Sequence, residues 1–481
     1  MRILLLTHYF APEFGAPQRR WGALIERFQA AGHRVAVIAP VPHYPAGRPS
    51  LEHRGRHRVG AVERGVHGEL VLRTAYTYHG GGIASRTLDH VVAGADGARR
   101  ALARFSRPED RPDVIISTAP AIPSLLAGAA LAKLWGVPLV AEMRDAWPDL
   151  VTHMGPDAAV PVALAVAPGG VADEPAPEPT AVDEPIDGAP GTSVASAGSA
   201  PSAGSAPSAV APMGHVPLRQ RTRRLARRGL GRAIGIAKQQ VHALVTAQQR
   251  SAAAVVTTTE RFADVLRGRG MTNVHVVRNG ASLHRIDVPA DHPDGDHAEL
   301  RCVYLGNMGR SQGLDTIVHA AARLHAEGVP IQVRMCGHGV EGRRLAALAR
   351  ELNAPVSVNG RIPHSTVASQ YAWADTVIAS LRGWEPFAWT IPSKLYELLA
   401  VGRHITALLA GEAADVIRAA DAGDVLPPGD VDALVELWRR LAADRSLARV
   451  RRSGRDWVRA NADDGLLAAR YLEILEDAVD G

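Results

Sequence analysis

The chain has 481 residues, 54 of them Lys or Arg and 49 Asp or Glu, for a formal net charge of +5; 46% are hydrophobic and 21% charged. That length exceeds one ordinary core, and the balance of apolar and charged residues excludes a wholly disordered chain, a collagen and a coiled coil. No run approaches the roughly 20 apolar residues of a membrane helix, the opening Met1-Arg2-Ile3-Leu4-Leu5-Leu6 is too short for a secretory leader, and two cysteines, Cys302 and Cys336, in apolar runs point to buried thiols in a reducing compartment rather than to a disulfide scaffold.

Ile3–Leu6 reads as a buried strand, Trp21–Ala31 as a helix ended by Gly32, and Arg34–Ile38 as the next strand. Val114–Ser117 and Leu139–Glu142 follow as strands around the helical pattern Leu125–Leu134. Residues 155–214 break the alternation. They are dense in Ala, Pro, Gly and Ser, carry a six-residue repeat starting at Ser196 and again at Ser202, and hold too little apolar surface to offset their ordering entropy. They are expected to be a disordered insertion. Residues 216–249 read as a basic helix, with Arg219, Arg221, Arg223, Arg224, Arg227, Arg228, Arg232 and Lys238 beside a rough apolar stripe. Such a helix is a solvated face, a helix lying on anionic lipid headgroups, or a partner for the acidic insertion. Strands resume at Val255–Thr258 and Val274–Val277, and the Pro-, Asp- and His-rich stretch Asp287–His297 reads as a linker. A second series then runs through Cys302–Leu305, Ile331–Met335, Val356–Val358, Val377–Ala379 and Ile405–Leu409. Alternation of this kind predicts an α/β chain of two doubly wound domains with parallel sheets, whose ligands bind at the carboxyl ends of strands.

Three strand-to-helix junctions have the makings of an anion site. Thr7–Pro17 follows the first strand; Gly15 allows close backbone approach, Pro17 suits a first helical turn, and Arg19 and Arg20 follow. Gly306, Asn307 and Gly309 follow the first strand of the second domain, and Arg310 next to them can fork a phosphate. In Pro392-Ser393-Lys394-Leu395-Tyr396-Glu397, Pro392 opens a helix that Gly402 ends. Lys394, one of only three lysines, then sits in a first turn, where a cation is locally unfavourable by a few tenths of a kcal/mol unless an anion binds. Glu397 lies on the same face, placed to accept from sugar hydroxyls or simply to pair with Lys394. An anion bearing hydroxyls describes a nucleoside diphosphate. Gly337-His338-Gly339-Val340-Glu341-Gly342 has the G-x-G-x-x-G spacing but lacks the acid that should end the next strand, where Asn359-Gly360 stands, so no NAD site is expected. The pair Asp294 and Asp296 lies in the linker, and with no H-E-x-x-H or Cys/His cluster neither a metal nor a cofactor is expected. The modest charge does not call for nucleic acid.

As a set, His8-Tyr9-Phe10-x-Pro12-Glu13, Pro42-His43-Tyr44-Pro45, Arg144-Asp145-x-Trp147-Pro148, Arg278-Asn279-Gly280, Leu305-Gly306-Asn307 and the Pro392–Glu397 motif resemble glycosyltransferase family 4. The likeness is nearest to bacterial surface-polysaccharide transferases of amino- or deoxy-sugars, and it covers most of the chain outside the insertion. It implies a GT-B fold: an acceptor-side Rossmann-like domain (1–286), a nucleotide-sugar-binding one (298–462) facing it across a cleft, and a last helix (463–481) returning to the first. It further implies a retaining, metal-independent transfer of a hexosyl or N-acetylhexosaminyl group from a nucleotide-sugar, UDP favoured, to a polyprenyl-diphosphate-linked or saccharide acceptor at the inner face of the plasma membrane. By the same resemblance Arg310 contacts the diphosphate, Glu397 the ribose hydroxyls and Arg361 the base, and Gly15 lets its loop approach the donor phosphate. Beyond the resemblance, the junctions themselves add Gly306, Asn307, Gly309, Pro392 and Ser393 as donor-side candidates, Lys394 is expected to supply a charge to the diphosphate, and His43 and Asp145 are the candidates for positioning the acceptor. Two positions depart from the pattern: Trp389 stands where many members have a first glutamate, and Gln312 where many have a lysine. Two alternatives are a nucleotide-sugar 2-epimerase, which uses the same fold, and a non-catalytic nucleotide-sugar-binding assembly subunit.

Overall fold

The computed structural model describes residues 1–44, 47–50, 53, 55–79, 83–144, 146, 149, 239–286, 297–450 and 453–481. The expected insertion at 155–214, the basic run from Arg219 to Lys238 and the linker residues 287–296 lie outside the described residues, as does Asp145.

The N-terminal domain runs β1 (Arg2–Leu6), α1 (Ala16–Ala30), β2 (Arg34–Pro40), β3 (Val62–Arg64), β4 (Leu70–Thr74), α2 (Ile83–Arg104), β5 (Val114–Thr118), α3 (Ile122–Trp135), β6 (Leu139–Met143), β7 (Ala254–Thr257), α4 (Glu260–Gly268) and β8 (Val274–Val276). Residues 239–250, before β7, are also helical. The sheet order is β3-β4-β2-β1-β5-β6-β7-β8, parallel throughout except for the antiparallel pair β3/β4. The hairpin β3–β4 and α2 are absent from the sequence expectation: Val62, Glu63 and Arg64 form an edge strand that leaves Val62 and Arg64 exposed, so no apolar run marks β3, while the buried β4 has only the short run Leu70-Val71-Leu72. The interior strands behave as doubly covered parallel strands must, with every residue of β5, β6 and β7 buried. Helix α1 begins five residues earlier than its apolar periodicity, because Pro17 is tolerated in a first turn where no intrahelical N–H bond is needed. Its Trp21, Leu24, Ile25 and Phe28 recur at helical spacing and are buried.

The C-terminal domain runs β9 (Leu300–Asn307), α5 (Asp315–Ala326), β10 (Ile331–His338), α6 (Gly342–Glu351), β11 (Val356–Asn359), α7 (Val367–Trp373), β12 (Thr376–Ser380), α8 (Ser393–Val401), β13 (His404–Leu408), α9 (Glu412–Ala419), β14 (Gly423–Leu426) and α10 (Val431–Ala443). Then come α11 (Ser453–Asn461) and α12 (Asp464–Asp480). The sheet is β11-β10-β9-β12-β13-β14 and wholly parallel. Helix α12 packs against α1 in the core of the N-terminal domain, where Tyr471 lies edge-on to Trp21 and Phe28. Both domains are therefore doubly wound, as the strand–helix alternation predicts.

In each sheet the strand order reverses once, between β1 and β5 and between β9 and β12. Ligands of open α/β sheets bind at such switch points, outside the strands' carboxyl ends. The chain leaves β1 through Thr7–Gly15 and β9 through Met308–Leu314, the first two loops singled out above.

Candidate active site

The loop after β9 is held tightly. The Tyr304 hydroxyl donates to the Asn307 carbonyl at 2.6 Å, and the Gly309 N–H donates to Gln312 Oε1 at 3.0 Å. Gln312 thus closes the loop. Both polar atoms of the Asn307 amide and the Ser311 hydroxyl are buried there without a hydrogen-bond partner. Buried polar atoms of this kind are costly unless something else satisfies them. The glycines at the ends of β9 and β10 explain the fingerprint-like spacing. Gly337 (φ 158°) and Gly339 (φ 155°) lie against the backbones of Gly306 and Met308, where an added Cβ would fall 1.7 and 2.2 Å from carbonyl oxygens. They let two strand ends approach one another, which accounts for the pattern without a dinucleotide.

The third junction is the start of α8. Pro392 is its N-cap residue and Gly402, left-handed at φ 74°, its C-cap, so both sequence punctuators fall where expected. Lys394 Nζ donates to Glu397 Oε1 at 2.7 Å, and the Tyr371 hydroxyl donates to the same oxygen at 2.8 Å. The ammonium also stands 5.7 Å from the centre of the Tyr371 ring. Burial pushes the Glu397 carboxyl up, but Lys394, Tyr371 and Arg19 together outweigh it and hold the group below its ordinary value. Glu397 is thus an ionised, half-buried acceptor at neutral pH. Arg19, in the first turn of α1, crosses from the other domain: its Nη2 donates to the Ser393 carbonyl at 3.5 Å and its Nη1 lies 3.8 Å from Glu397 Oε2. The two switch points therefore face each other.

The remaining donor-side residues are more open. Arg310 begins a short 3₁₀ turn, is about half exposed, and has its Nε 3.7 Å from Glu341 Oε1. Arg361 is exposed beyond β11, and its charge adds to burial in holding His338 below the ordinary histidine value. Gly15 is the N-cap of α1 with φ 174°, extended backbone open to any residue; what it leaves free is space for Gln18, whose Oε1 an added Cβ would meet at 2.5 Å. The Trp389 position proves to be an interdomain contact. Its carbonyl accepts from Thr259 Oγ1 at 2.5 Å, and its ring packs with Phe387 on the N-terminal-domain cluster of Phe262, Ala263 and Leu266. Glu385, at the start of the same 3₁₀ turn, is exposed.

On the acceptor side His43 is buried with both ring nitrogens engaged: Nδ1 with the Val41 carbonyl at 2.7 Å and Nε2 with Asp89 Oδ2 at 2.9 Å. Asp89, on α2, also faces His8 Nε2 at 3.1 Å and His79 Nε2 at 3.9 Å, and its other oxygen accepts from the Thr77 N–H at 2.6 Å. Burial alone would raise Asp89; the His43 and His8 hydrogen bonds win and hold it far below the carboxylate range. Burial lowers His43, but Asp89 and Glu13 reverse the sign and keep it above its ordinary value. His8 stays below its own, burial winning over Asp89. Glu13 pins the same loop, accepting from the N–H groups of His43 (2.7 Å) and Tyr44 (2.8 Å) and from Gln18 (3.0 Å). The donor atoms of His8, His43 and Asp89 lie within 4.8 Å of one another, a grouping able to hold a cation that no sequence spacing displays, although hydrogen bonding alone accounts for each contact. Glu13, Asp89 and Tyr371 were not singled out in the sequence, and Arg19 was named only as following the first junction. Glu13 lies inside a quoted motif, but Asp89 and Tyr371 sit in helices with no local signal.

Behind the cleft Glu412 fastens the domains. It accepts from the N–H groups of Glu260 (3.1 Å) and Arg261 (2.8 Å), capping α4, and from Arg278 Nη1 at 2.5 Å. Arg261 adds a pair to Asp415 at 2.6 Å.

Two doubly wound domains, with switch points facing across a cleft and cations gathered at one helix start, define the GT-B class. Family models match in each domain: one described as glycosyl transferases group 1 over residues 299–444, the other as a glycosyl transferase 4-like domain over residues 15–169. The chain belongs with the family 4-like glycosyltransferases. It is 26% identical over 138 residues to WcaL of Salmonella typhimurium, a protein assigned to colanic acid biosynthesis as a glycosyltransferase; the match covers 28% of this chain and about a third (34%) of that one. Among solved structures, sucrose-phosphate synthase from Thermosynechococcus elongatus superposes with a TM-score of 0.63 at 16% identity, over 99% of this chain and 98% of the other. Anabaena Alr3699/HepE, in complex with UDP and glucose, superposes with a TM-score of 0.58 at 14% identity, over 99% of each chain. At those identities the likeness is one of fold.

Proposed function

We propose that this protein is a retaining glycosyltransferase that moves a hexosyl or N-acetylhexosaminyl group from a nucleotide-diphosphate-sugar, UDP favoured, to a lipid-linked or saccharide acceptor in cell-surface polysaccharide synthesis. The observation that carries it is the start of α8, where an ionised Glu397 is held between Lys394, Tyr371 and an arginine from the opposite domain. That arrangement offers cations to a diphosphate and a carboxylate to sugar hydroxyls. The polysaccharide setting is supported by the likeness to WcaL, and the UDP donor by the fold shared with a UDP-bound protein.

In the reaction the C1–O bond to the diphosphate breaks and negative charge grows on the leaving oxygens. Lys394, Arg310 and the free N–H groups of the first turn of α8 stabilise that charge most in the transition state. The acceptor oxygen attacks on the face the diphosphate leaves, and the departing phosphate takes its proton, so configuration is retained and no catalytic metal is called for. Asp145 and the buried His43–Asp89 pair shape the acceptor side. No helix among the described residues is long and apolar enough to cross a membrane. What supports a peripheral place at the cytoplasmic face of the membrane is the arginine-rich run between 216 and 249, whose charge suits anionic headgroups.

Lys394→Ala tests the site. Losing such a contact costs roughly 10²–10³ in kcat, while a partly exposed i,i+3 ion pair, with Tyr371 still donating to Glu397, contributes about 1 kcal/mol to folding. Turnover of UDP-sugars should collapse with little change in melting temperature; near-normal turnover would sink the assignment. The interdomain packing of Trp389 favours one alternative, a binding subunit without chemistry. That alternative predicts nucleotide binding by the wild-type chain with neither transfer nor hydrolysis.

A further inference from the structure

Arg19 and Arg20 are neighbours in sequence but face different ways around α1, about 100° apart. Arg20 is buried and consumed by Glu142 and two carbonyls. Arg19 is 43% exposed and reaches the C-terminal domain through two loose contacts, a hydrogen bond at the limit of reach, 3.5 Å to the Ser393 carbonyl, and an ion pair at 3.8 Å to Glu397, beyond hydrogen-bond distance. Arg19 is the least of the three partners of Glu397: Oε1 already accepts from Lys394 at 2.7 Å and Tyr371 at 2.8 Å, and the Lys394 charge balances that of the carboxylate. Arg19 therefore leaves one positive charge in excess, on a guanidinium whose fork is only loosely occupied.

We propose that Arg19 is a diphosphate-binding residue lent by the N-terminal domain to the donor site of the C-terminal one, and that it exchanges Glu397 for phosphate oxygens when a nucleotide enters. The inference rests on the donor site proposed above. A planar guanidinium suits two phosphate oxygens better than one distant carboxylate oxygen. The exchange leaves Glu397 to Lys394, Tyr371 and the sugar hydroxyls, and it makes the diphosphate a bridge between the domains. Lys394 meets the same anion from the C-terminal side.

The test compares nucleotides that differ by one phosphate. UDP and UMP, and GDP and GMP, are titrated calorimetrically into the full-length chain, Arg19→Ala and Arg19→Lys. Wild-type binding of a diphosphate tests the donor site itself; a chain that binds none of the four overturns that site and this inference together. Given wild-type binding, Arg19→Ala should weaken the diphosphate roughly ten- to a hundredfold, the worth of one charge-assisted hydrogen bond, and leave the monophosphate within about twofold. Arg19→Lys should recover part of the loss. Equal losses for diphosphate and monophosphate, or none for either, would overturn the role of Arg19 while leaving the donor site standing. Melting temperatures of the variants should match wild type, since the side chain is half exposed.

Discussion

Replacing Arg20 with methionine should unfold the N-terminal domain more readily than any exposed charge change near the cleft. The guanidinium joins three elements: Nε donates to Glu142 Oε1 on β6 at 2.8 Å, and Nη2 and Nη1 donate to the carbonyls of Val277 (3.0 Å) and Arg278 (2.5 Å) just past β8. Its side chain is 4% exposed and that of Glu142 0%, and Glu142 Oε2 is already without a partner. Methionine fills similar space but strands a buried carboxylate and two carbonyls. Breaking such a pair from one side costs about 3–5 kcal/mol. In Arg20→Met/Glu142→Leu the stranded charge is gone, leaving the two carbonyls at about 1 kcal/mol each, so the double variant should recover roughly half of the loss. Differential scanning calorimetry of wild type, both single variants and the double reads this directly, each kcal/mol moving the domain transition by about 2–4 °C at this size. A single variant within about 1 kcal/mol of wild type, or a double variant less stable than Arg20→Met, would refute the reasoning. Folded Arg20→Met should keep the wild-type preference for diphosphate over monophosphate, unlike its neighbour Arg19→Ala.

The His43–Asp89 pair makes stability depend on pH. Because Asp89 keeps the His43 value above 6.5 against the pull of burial, its contribution is full below about pH 6.5 and is lost as pH rises through the folded value. Asp89→Asn removes that contribution, so the melting-temperature gap between wild type and variant should be larger at pH 6 than at pH 8.5; a gap that is constant or widens with pH would contradict it. Glu412→Ala removes the cap of α4, worth about 1 kcal/mol, and a charge-assisted bond to Arg278 of about 1.5–3 kcal/mol. It should loosen the domains without unfolding either, seen as a larger radius of gyration in small-angle scattering at unchanged circular dichroism; an unchanged scattering profile would show that Glu412 does not hold the domains together.

The two doubly wound sheets can be read from the order of the amino acids, because parallel strands buried on both faces require apolar runs and leave a direct trace at Ile3–Leu6, Leu139–Glu142 or Ile405–Leu409. The start and end of α8 can be read the same way, since Pro392 and Gly402 act through their own backbone preferences, and Lys394, Glu397 and Arg310 stand out as candidates by their place at strand-to-helix junctions. The edge strand β3 left no such trace because its Val62 and Arg64 face solvent, whereas β4, one place further in, carries a short apolar run in Leu70-Val71-Leu72. Tertiary structure alone decided the rest. Arg19 and Arg20 are indistinguishable in sequence, yet one step of about 100° around α1 sends one into the core and the other across the cleft. Asp89 finds His43 across 46 residues, and Glu412 finds Arg278 across 134. Periodicity reports only the burial of a residue within its own element. Which charge meets which, and which domain lends a residue to the other's site, follows from the packing of elements that no local pattern encodes.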